Sequence, residues 1–294
     1  MSKKTLFTGA GVAIITPMNA DGSVNFQKYR EIIDWQIENG TDAIITCGTT
    51  GESSTLTHEE HVAVIRAAVE QTAGRVPVIA GTGSNDTAYG IKLSLEAKAL
   101  GVDGLLLVTP YYNKASQRGL IAHYTAIADA AQLPIILYNV PSRTGVSIQP
   151  ATVVELAKHP YIVGIKEASG NLSIAAESAA TCDIDISSGN DDQILPVLSL
   201  GGKGVISVLS NVAPRETHDI CQKWFDGDIE GSRKLFLQYL ELANAMFIDV
   251  NPIPVKDAMN MMGLNVGECR LPLITMDEAN KAKLATVLKK YNLM

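Results

Sequence analysis

The chain has 294 residues, of which 46% are hydrophobic, and a formal net charge of −7 at pH 7. This apolar content suits one large α/β domain or two ordinary ones and does not indicate disorder. The acidic balance, without any dense basic run, argues against nucleic acid as a partner. No run of about 18 apolar residues occurs, so no transmembrane helix is predicted.

The cysteines and the first residues indicate a cytoplasmic protein. No two cysteines have C-x-x-C spacing, which argues against a disulfide framework or a structural zinc site and fits a reducing compartment. The start, MSKKTLFTGAGVAIITP, superficially resembles a secretory signal. Glycines interrupt its apolar run and no small-residue cleavage site follows, so we expect a first strand there instead. The cysteines are Cys47, Cys182, Cys221 and Cys269.

Strands and helices are predicted to alternate along the chain. The first strand covers 11–16, and apolar residues at helical spacing predict an amphipathic helix over 25–39. A second strand covers 42–48, after which Thr57 and Glu60 form an S/T-x-x-E capping box for the next helix. Further strands are predicted at 76–83, 103–110, 133–139, within 161–170, at 183–189 and at 202–208, with helices at 85–100, 117–131, 151–158, 172–179 and 193–200.

Eight strand–helix units in this length favour a closed (β/α)8 barrel. An open doubly wound sheet is less suitable, because no G-x-G-x-x-G follows the first strand. The rest of the chain is predicted to be helical. We therefore expect a catalytic barrel over 1–226 and a C-terminal helical domain over 227–294.

Lys166 is the candidate catalytic residue, because it places an amine where an apolar strand should continue, in YIVGIKEASG (161–170). Burial disfavours the charged form of an amine, so the pKa of a buried lysine falls and a neutral nucleophile becomes available for imine chemistry. The alternative for a single lysine at a strand end is a side chain whose stem packs while its head reaches solvent.

Catalytic groups of such a barrel collect at the carboxyl ends of the strands. Those segments here are rich in hydroxyls and glycines and poor in metal ligands. Tyr138 and Thr50 can carry protons, and Arg143 offers a fork of donors that suits a carboxylate. Glycines beside Thr49 and Thr50 let backbone amides approach a small carboxylate. For each hydroxyl alone, turn chemistry or capping is the favoured explanation, whereas their combination on one rim favours a functional site. The segments are GTTGE (48–52), GTGSN (81–85), TPYYN (109–113), YNVPSRTG (138–145), Lys166 and SGNDD (188–192).

The segments GTTGE, TPYYN, LYNVPSRTG and GIKEASG, in this order, resemble the dihydrodipicolinate synthase family of pyruvate-dependent class I aldolases. The similarity covers essentially the whole chain, including NPIPVK (251–256). It implies condensation of pyruvate with L-aspartate 4-semialdehyde and subsequent cyclisation, in lysine and diaminopimelate biosynthesis. It also implies that no metal or organic cofactor is needed.

The resemblance implies a role for each matching residue. Lys166 would form the Schiff base with pyruvate, and Tyr138 would transfer protons beside it, hydrogen-bonded to Thr50 and to Tyr112. Tyr112 would come from a neighbouring subunit, so a dimer or a tetramer built from dimers is expected.

The resemblance also implies residues that bind the substrates. Thr49 and Thr50 would hold the pyruvate carboxylate, and Arg143 would bind the carboxylate of the semialdehyde. The Ile206 backbone would lie against the lysine.

The family's lysine-feedback site matches a further set of positions in this chain. Lysine-sensitive members usually carry a glutamate where this chain has Tyr89, so weak or absent inhibition by lysine is predicted. His58 and His61 are equally explained as residues of a first helical turn. The matching residues are Ser53, Ser54, His58, His61, Asn85, Tyr89 and Tyr111.

Three other functions remain as alternatives. The nearest is another lysine aldolase of this superfamily, such as N-acetylneuraminate lyase or a keto-deoxy sugar-acid aldolase. A metal-dependent enzyme on the same barrel is disfavoured, because His58-Glu-Glu-His61 lacks the spacing of H-E-x-x-H. A barrel that binds a carboxylate without catalysis is disfavoured by the combination of Lys166, Tyr138 and Thr50.

Overall fold

The computed structural model of the chain describes residues 3 and 5–294 and contains a closed barrel of eight parallel strands. Residues 1, 2 and 4 of the signal-like start lie outside the described residues. Each strand pairs with the next, and β1 pairs with β8, which confirms the predicted (β/α)8 fold. The strands are β1 (Gly9–Ala13), β2 (Ala43–Thr46), β3 (Val78–Gly81), β4 (Gly104–Val108), β5 (Ile135–Asn139), β6 (Ile162–Glu167), β7 (Asp185–Ser188) and β8 (Gly204–Ser207).

Helices surround the barrel and extend beyond it. The predicted capping box begins α2, where the Thr57 side chain accepts from the Glu60 amide and the Glu60 carboxylate accepts from the Thr57 amide. No helix among the described residues is long and apolar enough to cross a membrane. The helices are α1 (Phe26–Glu38), α2 (His58–Thr72), α3 (Thr87–Leu100), α4 (Gln117–Ala131), α5 (Pro141–Thr144), α6 (Pro150–Leu156), α7 (Leu172–Thr181), α8 (Ile194–Ser199), α9 (Pro214–Phe225), α10 (Ile229–Ala245), α11 (Ile253–Met261) and α12 (Glu278–Lys290).

The structure corrects the sequence prediction at three elements. The first strand starts at Gly9, because its pairing begins there, opposite Gly204 of β8. A side chain on Gly204 would overlap the Gly9 backbone, so this close approach depends on glycine. Helices α5 and α9 were not predicted. Each begins with a proline at its first turn, a position that suits the fixed φ of proline.

Alternation along the strands separates the barrel interior from the layer beneath the helices. Ile136 and Tyr138 of β5 pack inside the barrel in one cluster with Ile206 of β8. Ile135 and Leu137, which alternate with Ile136 and Tyr138 along β5, pack outside the barrel against the helices. Successive side chains of a strand point to opposite faces, so each strand gives the interior every second residue.

The C-terminal helices pack on the barrel. Leu242 of α10, Met259 of α11 and Leu284 of α12 belong to the same apolar cluster as the outer faces of the strands. The segment that leads into α11 also reaches the rim of the barrel, where Lys256 forms a buried ion pair with Glu52. The division into a barrel domain and a helical domain at residue 226 stays a prediction.

Candidate active site

Lys166 lies near the carboxyl end of β6, beside Tyr138 of β5. The two residues are opposite each other in the strand register, and Lys166 Nζ is 4.4 Å from the centre of the Tyr138 ring. Only 5% of Lys166 is exposed, and it takes part in no ion pair between described residues. The alternative in which this lysine reaches solvent is therefore wrong, and a buried amine faces a phenol.

The loop of residues 48–52, called the β2 loop below, brings Thr49 rather than Thr50 to Tyr138. Thr49 and Tyr138 line one small cavity of about 40 Å³. Thr50 is 2% exposed, and its hydroxyl accepts a hydrogen bond from Asn251 Nδ2 at 3.1 Å. No hydrogen bond joins Thr50 to Tyr138 among the described residues, because the Thr50 hydroxyl is buried against Asn251. Thr49, rather than Thr50, therefore lines the cavity beside Tyr138, and the catalytic role of Thr50 stays a prediction.

Two backbone amides of the β2 loop are available to a ligand. The amides of Gly51 and Glu52 donate to the carbonyl oxygens of Gly48 and Thr49 within the loop. The amides of Thr49 and Thr50 donate to no other described residue. Adjacent free amides in a tight turn form a concave site for an anion such as a carboxylate. This arrangement supports the predicted carboxylate-binding role of Thr49 and Thr50.

Arg143 lies on α5 at the mouth of the site. With Thr49 it lines a larger cavity of about 310 Å³, and Arg143 itself is exposed. Its Nη2 donates to the Asn251 carbonyl oxygen at 3.0 Å, which leaves further guanidinium donors free. Ile206 is fully buried beside Tyr138 in the barrel interior. The roles predicted for Arg143 and for the Ile206 backbone stay predictions.

Tyr112 extends away from its own chain. It is 90% exposed, and its φ of +72° is a left-handed conformation that is rare for an aromatic residue. The flanking residues are fixed: Asn85 Nδ2 donates to the Tyr111 carbonyl oxygen, and Asn113 Nδ2 donates to the Asn85 carbonyl oxygen. No described residue accepts a hydrogen bond from the Tyr112 hydroxyl, so its predicted contact with Tyr138 is not made within one chain.

Most of the predicted lysine-site residues line the 310 Å³ cavity that Thr49 and Arg143 also line. His58 contacts the Tyr89 hydroxyl at 3.3 Å and the Glu96 carboxylate at 3.1 Å. Burial lowers the pKa of His61, whose Nε2 is 2.8 Å from the Gly81 carbonyl oxygen. The residues that line the cavity are Ser53, Ser54, His61, Tyr89 and Tyr111.

Two further residues beside Lys166 were not singled out from the sequence. A Cβ added to Gly189 would lie 3.0 Å from Lys166 Cε, so this glycine makes room for the lysine. The Asp191 carboxylate is 3% exposed and accepts hydrogen bonds from Ser207 Oγ at 2.5 Å and from the Val208 amide at 3.0 Å. Burial raises the pKa of Asp191, and these bonds oppose the rise. Both residues belong to SGNDD, a polar run directly after a strand, which was the available signal.

The two histidines of the metal-dependent alternative have separate partners. His58 binds Tyr89 and Glu96, whereas His61 binds a backbone carbonyl. Across residues 3 and 5–294, no group of three or more His, Cys, Asp or Glu residues could hold a metal ion. The structure therefore gives no support to a metal-dependent enzyme.

Comparison with known proteins decides the family. The sequence model of the Dihydrodipicolinate synthetase family matches residues 6–291. The chain belongs to this family. It is 59% identical over 292 residues to the 4-hydroxy-tetrahydrodipicolinate synthase of Lachnoclostridium phytofermentans, covering 98% of this chain and 99% of that protein. The predicted family is confirmed.

Solved structures of the dihydrodipicolinate synthetase family share the fold. The enzyme from Aquifex aeolicus superposes with a TM-score of 0.96 at 46% identity, over 98% of this chain and 99% of that one. The chloride-inhibited enzyme from Acinetobacter baumannii, complexed with pyruvate, gives a TM-score of 0.96 at 42% identity. That match covers 99% of this chain and 100% of the other. The chain is a class I aldolase-type lyase of this family, as predicted. The comparisons give no support to the sugar-acid alternative.

Proposed function

We propose that this chain condenses pyruvate with L-aspartate 4-semialdehyde through a Schiff base on Lys166, in lysine and diaminopimelate biosynthesis. The observation that carries the proposal is Lys166 itself: a lysine that is 5% exposed, lacks an ion-pair partner among the described residues and lies against Tyr138. A buried amine that forms no ion pair is suited to attack a carbonyl carbon.

The first half of the reaction forms an enamine. The neutral amine attacks the keto carbon of pyruvate to give a carbinolamine, which loses water after a proton reaches its hydroxyl, and the product is an iminium ion. Removal of a proton from the methyl group then gives the enamine. Tyr138 is the proton carrier, because its ring lies over the lysine and its hydroxyl donates to no other described residue. The free amides of Thr49 and Thr50 hold the pyruvate carboxylate in place.

The second half uses the acid end of the aldehyde substrate. The enamine carbon attacks the aldehyde carbon, and Arg143 binds the substrate's carboxylate with the guanidinium donors that Asn251 leaves free. The substrate's amino group then displaces Lys166 from the iminium carbon, which closes the ring and returns the free enzyme. No metal or organic cofactor enters these steps, because the protonated imine itself accepts the electron pair.

The proposal includes a partner of the same sequence. The exposed, left-handed Tyr112 fits a residue that crosses to a neighbouring subunit, so we infer a homo-oligomer, with a tetramer built from dimers as the predicted form. Localisation in the cytoplasm stays a prediction, which the four unpaired cysteine thiols support.

Borohydride reduction in the presence of pyruvate, followed by peptide mass mapping, tests the mechanism. We expect one adduct on Lys166 and none in Lys166→Ala, whose condensation rate falls by at least about 1,000-fold because the nucleophile is lost. A direct comparison of aspartate semialdehyde with sugar aldehydes tests the substrate. An adduct elsewhere contradicts the mechanism, whereas reaction with sugars alone leaves the mechanism and contradicts the substrate.

A further inference from the structure

The NPIPVK segment (251–256) contacts the β2 loop at two points although it is far away in the sequence. Asn251 Nδ2 donates to Thr50 Oγ1 at 3.1 Å, and these residues are 201 positions apart. Lys256 Nζ donates to Glu52 Oε1 at 2.8 Å, and both side chains are 1% exposed. The C-terminal extension therefore contacts the β2 loop at its middle residue, Thr50, and at its last residue, Glu52.

Neither contact is explained by the stability of the fold alone. Asn251 is 5% exposed, and its Oδ1 has no hydrogen-bond partner among the described residues, which costs free energy in a buried site. A buried ion pair such as Glu52–Lys256 is also weak as a source of stability, because two charges must leave water. Buried polar groups kept at such a cost point to a positional role.

The β2 loop is a backbone that needs to be held. Glu52 has a left-handed φ of +55°, and Cys47 just before the loop has a φ of +54°. Such conformations persist only where the surroundings fix them. Lys256 also donates to the Thr16 carbonyl oxygen, and the Thr16 hydroxyl donates to the Gly51 carbonyl oxygen, so one network surrounds the turn.

We propose that Asn251 and Lys256 are positioning residues, which hold the β2 loop so that the Thr49 and Thr50 amides meet the pyruvate carboxylate. This inference rests on the proposed function. Preorganised donors are effective only at the right distance, and a small misplacement weakens them strongly. The Asn251 side chain acts on Thr50, whereas its backbone carbonyl accepts from Arg143, so a side-chain substitution separates the two substrates.

The test measures the pyruvate concentration that half-saturates borohydride trapping. In Asn251→Ala we expect this concentration to rise about tenfold, because the loop loses one anchor. The half-saturating concentration of aspartate semialdehyde should change by less than about threefold, because the carbonyl that accepts from Arg143 remains. Thr50→Val removes the same hydrogen bond from the other side and should give the same pattern even if Asn251→Ala does not fold.

A double-mutant cycle and a second pair of substitutions complete the test. Asn251→Ala combined with Thr50→Val should lose no more than the larger single change, because both remove one interaction. The double variant Glu52→Gln, Lys256→Met removes both buried charges together. It should also weaken the binding of pyruvate without weakening that of aspartate semialdehyde. Thr217→Val is the matched control: its hydroxyl is fully buried in α9, donates at 2.7 Å to the Ala213 carbonyl oxygen, and lies outside the site.

The outcomes separate this inference from the proposed function. If the unsubstituted protein traps no pyruvate on Lys166, the proposed function fails. Two results would refute the positioning role in a protein that does trap pyruvate. The first is a half-saturating pyruvate concentration in Asn251→Ala and Thr50→Val that lies within about twofold of the values for the unsubstituted protein and Thr217→Val. The second is a double variant in which the effects of Asn251→Ala and Thr50→Val add fully.

Discussion

The loops at the carboxyl ends of β2 and β4, two strands separated by β3, contribute to the site in different ways. The β2 loop is held on several sides by its own chain, through Thr16, Asn251 and Lys256. The loop after β4 is fixed at its flanks, yet it presents Tyr112 with 90% of its surface exposed. The comparison indicates that one chain completes the carboxylate-binding side of the site by itself. The side that contains Tyr112 is suited to completion by a second copy.

The largest expected effect tests this difference with mixed subunits. Lys166→Ala alone is inactive, and Tyr112→Phe alone should lose about 10- to 100-fold in kcat because a proton carrier is missing. If Tyr112 crosses between subunits, a hybrid of the two variants contains one intact site, so mixing and reassembly should restore activity. The condensation rate of the purified hybrid measures this. A hybrid no more active than Tyr112→Phe alone would place Tyr112 in its own chain's site.

Gly189→Ala should reduce activity by about 10- to 100-fold, and this effect should be confined to the site of the chain that carries the substitution. The added Cβ would lie 3.0 Å from Lys166 Cε and 2.5 Å from the Ala168 Cβ, so the lysine must move. Gly119→Ala in α4 is the control, because its Cβ would meet only ordinary contacts at 3.5 Å and beyond. Steady-state kinetics of the two variants checks this. Equal kcat values for both would show that Lys166 tolerates the displacement.

Lysine at millimolar concentration should reduce the condensation rate by less than about twofold. This small effect belongs to the cavity that Tyr89 and Tyr111, in the loop after β4, both line. Tyr89 stands where sensitive relatives are expected to carry a glutamate, and its hydroxyl contacts His58 at 3.3 Å. A neutral phenol cannot pair with an ammonium group as a carboxylate does. A rate assay with added lysine checks the expectation, with Tyr89→Glu as the variant that should gain sensitivity. Half-inhibition at micromolar lysine would refute it.

The smallest effect lies at the other end of the barrel, where we expect a change in stability alone. The hydrogen bond that His218 Nδ1 donates to the Asp42 carboxylate, at 2.9 Å, raises the pKa of His218 above its ordinary value. The folded state then binds the proton more tightly than the unfolded state. This contribution to the free energy of unfolding is complete below the ordinary histidine pKa and is lost as pH rises through the raised value.

His218→Gln should remove that pH dependence and leave the kinetics unchanged. The pair is partly exposed, so the expected contribution is below about 1 kcal/mol. Denaturant unfolding at about pH 6 and about pH 8, on either side of the histidine range, measures it. An identical pH slope in the variant and in the unsubstituted protein would show that another group is responsible.

The barrel and the position of Lys166 could be predicted from the sequence, because both depend on local patterns. Apolar runs alternate with helical spacing, and a lysine within a buried strand such as 162–167 lies at a fixed depth. Helix α2 was predicted at its start for the same reason, since a capping box is a contact between residues three apart.

The choice between Thr49 and Thr50 could not be predicted from the sequence. Which of two consecutive side chains faces the cavity depends on backbone angles, including the left-handed φ of Glu52, that the sequence pattern does not determine. The anchor of Thr50 lies 201 residues away at Asn251, and no local pattern indicates such a contact. In the sequence, the NPIPVK segment contributes to the family resemblance, but no pattern within it predicts a contact with the β2 loop.

A crystal structure of the protein soaked in pyruvate tests the central claim most directly. We expect continuous density from Lys166 Nζ to the keto carbon of pyruvate, with the carboxylate within hydrogen-bonding distance of the Thr49 and Thr50 amides. Pyruvate bound without a covalent link to Lys166, or with its carboxylate away from these amides, would contradict the account.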